Sequence, residues 1–169
     1  MTPSTTNRNI PASALAGALG GLAASFVMNQ FQALLAKAET RPPQPQAAGD
    51  DATVKTAQAV AKYTLGRQLG PAEKKWAGPA VHYSFGALLG AAYGVLAATV
   101  PKVRAGTGTA YGSAVWLAVD EIFVPAFGLS GSPLNSPVSS HVKALASHLV
   151  YGVTTDLTRK AILKVAANS

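Results

Sequence analysis

The stretch WAGPAVHYSFGALLGAAYGVLAATVP, residues 76–101, contains no Asp, Glu, Lys or Arg. A helix needs about 20 largely apolar residues to cross the hydrocarbon core of a bilayer. The surface helices of soluble proteins instead carry charged residues on one face, and this stretch has none to form such a face. We therefore predict a transmembrane helix over residues 79–100.

Three other parts of the chain are also poor in charge. Residues 9–36 and 144–155 contain no Asp, Glu, Lys or Arg, and residues 105–142 contain only the adjacent acids Asp120 and Glu121. The expected fold is all-α, an integral membrane four-helix bundle in which the whole chain, 1–169, forms a single membrane domain. The other three transmembrane helices are predicted over residues 11–35, 106–127 and 139–162.

The overall composition agrees with this class of protein. Charged residues make up 12% of the chain and hydrophobic residues 49%, whereas an average soluble domain is about 25% charged. The absence of Cys excludes disulfides, thiolate metal sites and cysteine nucleophiles. The net charge of +7 comes from Lys and Arg residues that flank the apolar windows. The expected partner is therefore the lipid bilayer and not a nucleic acid.

The positions of Lys and Arg also bear on orientation. The short loop between the second and third predicted helices contains Lys102 and Arg104, whereas the loop between the third and fourth contains neither residue type. Positively charged loops stay in the cytoplasm, so we expect both termini there. The triplet Ala36-Lys37-Ala38 has the form of a signal-peptide cleavage site. The apolar run before it exceeds the roughly 7–15 residues of a signal core, which favours an uncleaved first helix.

A polar segment, residues 37–78, separates the first two predicted membrane helices. Its Pro-rich part, residues 41–46, is expected to be extended, because successive prolines exclude a helix. A short amphipathic helix is predicted at about 52–66, with Asp50 and Asp51 at its N-terminal end. Two placements are open: this helix lies on the membrane surface, or it packs against the loop.

Glycines recur every four residues in two of the predicted helices. The second helix contains Gly86, Gly90 and Gly94, and the third contains Gly108 and Gly112. Small residues at this spacing form a groove that lets a second helix approach closely. The spacing predicts tight helix packing, with a helix of this chain or of another chain.

Two parts of the chain resemble each other. In residues 21–30 and again in residues 112–121, a glycine is followed eight and nine positions later by two polar residues. Residues 82–86 and 148–152 share the pattern His-x-x-aromatic-Gly. This repeat suggests two tandem helical hairpins, related by an axis along the membrane normal.

Polar side chains inside the predicted helices are the candidate functional residues. An ionised acid within a bilayer is costly and marks a functional site by default. The fixed rise of a helix, 1.5 Å per residue, places most of these groups in one half of the bilayer. The expected cluster consists of Asp120, Glu121, His148, His82, Asn29 and Gln30.

Two interpretations of this polar cluster are open. It relays protons or contacts a substrate, or it holds the helices together through interhelical hydrogen bonds. Asp120 and Glu121 point about 100° apart on a helix and cannot occupy one spot. The expected partners of Asp120 are His148 and His82.

Other chemistry is not indicated by the sequence. Asp156 is followed by Arg159 and Lys160 at the spacing of a helical ion pair, which we expect at the membrane boundary. The chain contains no phosphate loop, no dinucleotide-binding motif and no nucleophile elbow. Its histidines do not have the close spacing of metal-binding motifs. We therefore expect no catalytic residue, no metal ion and no cofactor.

Several short motifs resemble a known family. They are His82-Tyr-Ser-Phe85, Ala92-Tyr-Gly-Val95, Val100-Pro-Lys102, Pro125-Ala-Phe-Gly-Leu129 and Ser147-His-Leu-Val-Tyr-Gly152. Together they resemble the YagU-type bacterial inner-membrane proteins, a family of unknown function, over roughly residues 80–165. The resemblance implies a location in the bacterial inner membrane and supplies no functional residues.

Two classes of function follow from these observations. The first is a non-catalytic accessory module whose glycine faces pack against a second copy of the chain or join a larger membrane complex. The alternative is a proton-linked channel or small-solute transporter that uses the Asp/Glu/His cluster. The small size of the chain favours the first class, and the one-sided placement of the polar residues favours the second.

Overall fold

The computed structural model describes residues 9–38 and 50–168, and within these ranges it contains helices and no β-strand. The longest segments are α1 (Ile10–Ala38), α2 (Ala52–Leu65), α3 (Pro71–Thr99), α4 (Thr109–Trp116) and α5 (Val138–Ala167). From α4 the chain continues into a π-helical segment, Leu117–Phe123, and a last α-helical turn, Val124–Ala126. Short 3-10 turns, Pro101–Arg104 and Pro133–Asn135, precede α4 and α5. The predicted all-α class is confirmed for the described residues.

The glycines of α3 pack against α1 of the same chain. The two helices are antiparallel, and a Cβ atom added to Gly90 would lie 2.7 Å from the Cα atom of Gly21. A Cβ atom on Gly94 would overlap the Ser13 carbonyl of α1, and one on Gly86 would overlap the Ser25 hydroxyl. The Ser13 hydroxyl donates a hydrogen bond to the Gly94 carbonyl at 2.8 Å. Any larger residue would force the two backbones apart, so the glycine spacing determines this contact.

The glycines at the start of α4 pack against α5 in the same way. A Cβ atom on Gly108 would overlap the carbonyl of Gly152 in α5, and one on Gly112 would overlap the carbonyl of His148. Gly108 has a φ of +87°, a left-handed conformation in which glycine is favoured. It therefore both ends the preceding turn and brings α4 close to α5.

The helix pair α1–α3 and the helix pair α4–α5 use the same kind of glycine contact, but in different registers. Gly21 faces Gly86, the glycine of the first His-x-x-aromatic-Gly motif. Its counterpart in the repeat, Gly112, faces His148, one turn before the second motif glycine, Gly152. Since equivalent residues are not paired equivalently, the tandem repeat stays a prediction.

Helix α5 packs against α1 and α3 as well as against α4. A Cβ atom on Gly20 of α1 would lie 2.7 Å from the Thr155 carbonyl oxygen in α5. Tyr151 packs against Ala24 and Met28 of α1 in the hydrophobic core. Its hydroxyl donates a 2.6 Å hydrogen bond to a main-chain carbonyl of α3, that of Gly86. Helices α1, α3 and α5 thus meet around one tyrosine.

Two of the four predicted membrane helices, α1 and α3, are long and apolar enough to cross a membrane, by length and composition. α4 has eight α-helical residues before its geometry changes to π-helical. α5 has 30 residues, but polar side chains interrupt its apolar residues along its length. The described chain therefore contains two candidate spans and two helical segments that do not reach that standard.

Two of the predicted helix starts differ from the structure by more than one residue, and the last helix ends at Ala167 and not at residue 162. α3 begins at Pro71 and not at residue 79, because Pro71 occupies the first helical position and Glu73 accepts a 2.8 Å hydrogen bond from the Gly70 N–H. α4 begins at Thr109 and not at residue 106, because Gly106, Thr107 and Gly108 all have positive φ. Both shifted starts arise from local turn chemistry, which the distribution of charge along the sequence does not reveal.

The amphipathic helix predicted at 52–66 is α2, and it packs against the first turns of α3. Burial alone would raise the pKa of its N-cap, Asp51, but hydrogen bonds from the Thr53 hydroxyl and the Val54 N–H lower it below its usual value. A salt bridge of 2.7 Å joins Lys74 to Asp50. The structure thus places α2 on α3, while residues 41–46 lie outside the described ranges.

The π-helical segment ends at Phe123, two residues before Pro125. Proline has no N–H and cannot continue the normal hydrogen-bond ladder to Glu121. The neighbouring Val124 N–H bonds to the Val119 carbonyl five residues earlier, which is the π-helical pattern. This wide turn contains Asp120 and Glu121, and such segments occur often at functional sites.

Candidate functional site

A cleft of about 880 Å³ opens between α1, α3, the π-helical segment and α5. Much of its lining is apolar and aromatic, including Phe85, Leu89, Val115, Phe123, Phe127 and Tyr151. Its polar lining includes four of the predicted cluster residues, Asn29, His82, Asp120 and His148. The fold thus brings side chains from four separate helical segments to one cavity.

The acid of the cleft, Asp120, stands beside His148. Its Oδ2 atom lies 3.6 Å from Nδ1 of His148, and the Asp120 side chain is 36% exposed while that of His148 is 10% exposed. Nδ1 of His148 also lies 2.9 Å from the Ala144 carbonyl oxygen, one turn earlier in α5. A carbonyl oxygen only accepts hydrogen bonds, so Nδ1 carries a proton. The ring is therefore oriented by the backbone, and the carboxylate of Asp120 remains open to the cleft.

Two buried polar atoms at the cleft have no hydrogen-bond partner in the described part of the chain. They are Nε2 of His82 and Oγ of Ser25, and both residues line the cavity. Asn29 is held more loosely, since its Nδ2 donates to the Tyr83 hydroxyl over 3.4 Å. Buried polar groups are normally hydrogen-bonded. Unused donors and acceptors at a cavity wall can therefore serve a bound molecule.

Glu121 and Gln30 do not join this cleft. Glu121 Oε1 lies 2.7 Å from Nδ1 of His141, and Nε2 of His141 lies 3.1 Å from the Pro133 carbonyl oxygen. The doubly protonated imidazolium satisfies both contacts. This pair borders a smaller cleft of about 160 Å³, which Asp120 also touches. Gln30 is exposed on α1, because neighbouring helical residues point in different directions.

A second charged cluster, predicted from the sequence at the membrane boundary, is buried at the opposite end of the bundle. The Asp156 side chain is 0% exposed, with Lys160 Nζ at 2.6 Å and Arg159 Nη2 at 3.4 Å. Arg159 also donates to the Ser13 hydroxyl at 3.2 Å and lies 5.8 Å from the centre of the Tyr93 ring. Residues of α1, α3 and α5 therefore meet around this ion pair.

A signal for this burial is present in the sequence. His148, Gly152 and Asp156 are four residues apart and share one face of α5. Gly152 belongs to the motif that predicts close packing, so Asp156 lies on the packed face of the helix. The spacing of Asp156 to Arg159 and Lys160 predicts the ion pair, which is present, but not its burial.

Metal binding has no support from the described geometry. Within residues 9–38 and 50–168, no three His, Cys, Asp or Glu side chains stand close enough together to hold a metal ion. The main cleft offers two carboxylates, Asp51 and Asp120, together with two imidazoles, two side-chain amides and several hydroxyl groups, within a largely apolar wall.

Comparison with known proteins gives a family without a known activity. No curated protein and no solved structure matches the chain. A family model described as "Protein of unknown function (DUF1440)" matches residues 36–157, which include α2, α3, α4 and most of α5. Because this match covers well over half of the chain, the protein belongs to the DUF1440 family.

Proposed function

We propose that this protein is a YagU-type, multi-pass protein of the bacterial inner membrane, in which α1, α3, the helical segment 109–126 and α5 each cross the bilayer. Supporting this, the interior is formed mainly of small residues, such as Ala16, Ala24 and Ala97, while large apolar residues point outward. Leu15 and Leu88, for example, are 65% and 64% exposed. Small residues inside and large apolar ones outside are typical of helices that pack within lipid.

Within the membrane, the function that the geometry favours is that of a proton-linked channel or small-solute transporter. The observation that carries this proposal is the single cleft lined by Asp120, His148, His82 and Asn29. A carboxylate inside a bilayer is costly, which makes it a candidate for proton transfer. Asp120 is the proton-carrying group in this proposal, and His148, held by the Ala144 carbonyl, is its neighbour in the relay.

The wide π-helical turn supports the same assignment. It directs Asp120 to the main cleft beside His148 and Glu121 to His141, so that two successive carboxylates contact two different histidines. A regular α-helical ladder is already interrupted there by Pro125, and a segment with such a register change can rearrange when a proton or solute binds. In this proposal the protein carries out no covalent chemistry.

Proton flux in reconstituted liposomes tests this proposal. The full-length protein is incorporated into liposomes that contain a pH-sensitive dye, and an electrical potential is imposed across the membrane. We expect wild-type protein to acidify the lumen faster than empty liposomes do, and Asp120→Asn to abolish the difference because the amide carries no titratable proton. Glu73→Gln is the matched control, since Glu73 pairs with Arg67 away from the cleft.

Either of two results would overturn the transport proposal. The first is a wild-type rate equal to that of empty liposomes, and the second is an Asp120→Asn rate equal to wild type. Gel filtration of each variant in detergent checks that the protein remains assembled.

The accessory module is the second candidate function, and a different observation favours it. The loop end of the bundle exposes large apolar side chains that do not line the cleft, with Leu134 94% and Val138 76% exposed. The glycine faces are already filled by helices of the same chain. Self-association, or entry into a larger complex, would therefore use these outward apolar residues. Purification in mild detergent tests it, through the mass of the particle and the proteins that accompany it.

A further inference from the structure

We infer that the ligand of the main cleft is a lipophilic organic cation with Asp120 as its counter-ion, an inference that rests on the proposed solute-transport function. The first step of the argument concerns the charged residues around the cavity. Among the described residues that line it, the acids are Asp51 and Asp120, the only potential cations are His82 and His148, and Lys and Arg are absent. A permanent anion would meet two carboxylates there and no fixed positive charge.

The second step concerns the hydrogen bonding of the Asp120 carboxylate. The proton on Nδ1 of His148 is directed to the Ala144 carbonyl at 2.9 Å, whereas the Asp120 carboxylate is 3.6 Å from the same nitrogen. That separation exceeds a hydrogen bond. The carboxylate is therefore paired only weakly within the described chain and faces the cavity, where a ligand cation can approach it.

The third step concerns the body of the ligand. Phe85, Phe123 and Phe127 contribute aromatic rings to the wall, and the volume of about 880 Å³ lies in the range of sites for drug-sized molecules. Aromatic rings attract a cation over their faces. A sugar or another fully polar solute would leave this apolar wall without a partner. An apolar or aromatic body with one delocalised positive charge satisfies both the rings and the carboxylate.

Equilibrium binding of two probes of nearly equal shape and opposite charge tests this inference. Tetraphenylphosphonium and tetraphenylborate are titrated separately into the full-length protein in detergent, with empty micelles subtracted. We expect saturable binding of the phosphonium, and binding of the borate that is at least about tenfold weaker, because one charge faces Asp120 and the other is repelled by it.

Three variants assign the effect to a residue. Asp120→Asn should weaken phosphonium binding about tenfold, and Asp120→Glu, which keeps the charge, should restore most of it. Glu73→Gln removes the same charge outside the cleft and should leave binding unchanged. Helix content measured by circular dichroism shows that each variant is folded, and the pair Asp120→Asn and Asp120→Glu keeps the test valid if one of the two is poorly stable.

The outcomes separate this inference from the transport proposal. Equal binding of borate and phosphonium, no saturable phosphonium binding, or unchanged phosphonium binding by Asp120→Asn would each overturn the cation assignment, even if Asp120-dependent proton flux is observed. Conversely, phosphonium binding that depends on Asp120 supports the assignment when proton flux is absent, and the protein is then a cation-binding protein without transport.

Discussion

Among the charged residues, Asp156 and Arg159 are buried more deeply than Asp120, the acid of the candidate site beside His148. Asp156 is fully buried and the Arg159 side chain is 6% exposed. Removing one partner of a buried ion pair leaves an uncompensated charge, which costs about 3–5 kcal/mol, whereas replacing both by apolar groups is often neutral. Asp156 contacts Lys160 as well, so the pair belongs to a cluster with a net positive charge.

We predict that Asp156→Asn lowers the free energy of unfolding by about 3 kcal/mol, because it leaves Arg159 buried without its carboxylate. The double variant Asp156→Asn, Arg159→Met should recover much of this loss. Asp50→Asn is the control, since the Asp50–Lys74 pair is about one-third exposed and such pairs contribute about 1 kcal/mol or less. Equilibrium unfolding in mixed micelles measures all three. Equal losses for Asp156→Asn and Asp50→Asn would show that the buried pair is not important for stability.

At the level of helices, some features follow from the sequence and others do not. The charge-free windows locate α1 and α3, because a long apolar run has few alternatives to a buried or membrane helix. Glycine spacing predicts that two helices approach closely. Which residues of the two helices face each other depends on the orientation of both helices, and no local sequence pattern gives that orientation. The π-helical turn at Asp120 was not predicted, although Pro125 predicts an interrupted ladder. Proline shows where a helix is disturbed and not which hydrogen bonds replace the lost one.

The candidate site shows the same division. Asn29, His82, Asp120 and His148 were predicted to cluster from their depth along helices of fixed rise, and they line one cleft. Gln30 is adjacent to Asn29 but faces outward, since one position rotates a side chain by about 100°. Depth along a helix can be read from a sequence, whereas the facing direction needs the partner helix.

Gly90→Ala tests the helix contact between α1 and α3. Alanine is favoured over glycine in a helix by about 1 kcal/mol, but its Cβ atom would lie 2.7 Å from the Cα atom of Gly21 and overlap the Gly17 carbonyl. Overpacking of this kind costs about 1–3 kcal/mol. We therefore expect a net loss of stability and a lower midpoint of thermal unfolding.

Gly131→Ala is the control for this substitution, because a Cβ atom there meets nothing within 4 Å and Gly131 is not among the positive-φ glycines. It should leave the unfolding midpoint unchanged. If Gly90→Ala is as stable as wild type, or more stable, the close contact between α1 and α3 does not exist in the folded protein.

For the whole molecule, the number of membrane crossings decides between two topologies. If only α1 and α3 cross, everything after α3 lies on one side of the membrane. If the segment 109–126 and α5 cross as well, the loop around Ser132 lies opposite to Lys102 and on the same side as α2. The residue that separates these cases is therefore Ser132, which is exposed in the loop between α4 and α5.

We predict that Ser132→Cys and Thr64→Cys react with a membrane-impermeant maleimide in intact bacterial cells, whereas Lys102→Cys and Asn168→Cys react only after the inner membrane is permeabilised. The natural chain contains no Cys, so each variant carries a single label, and all four positions are exposed. Thr64 in α2 is the reference for the periplasmic side in either topology. Reactivity of Ser132→Cys that follows Lys102→Cys would reduce the protein to two crossings and place the Asp120 cleft outside the bilayer. A complete exchange of the two groups would keep four crossings and reverse the orientation, so that the cleft would open to the cytoplasm.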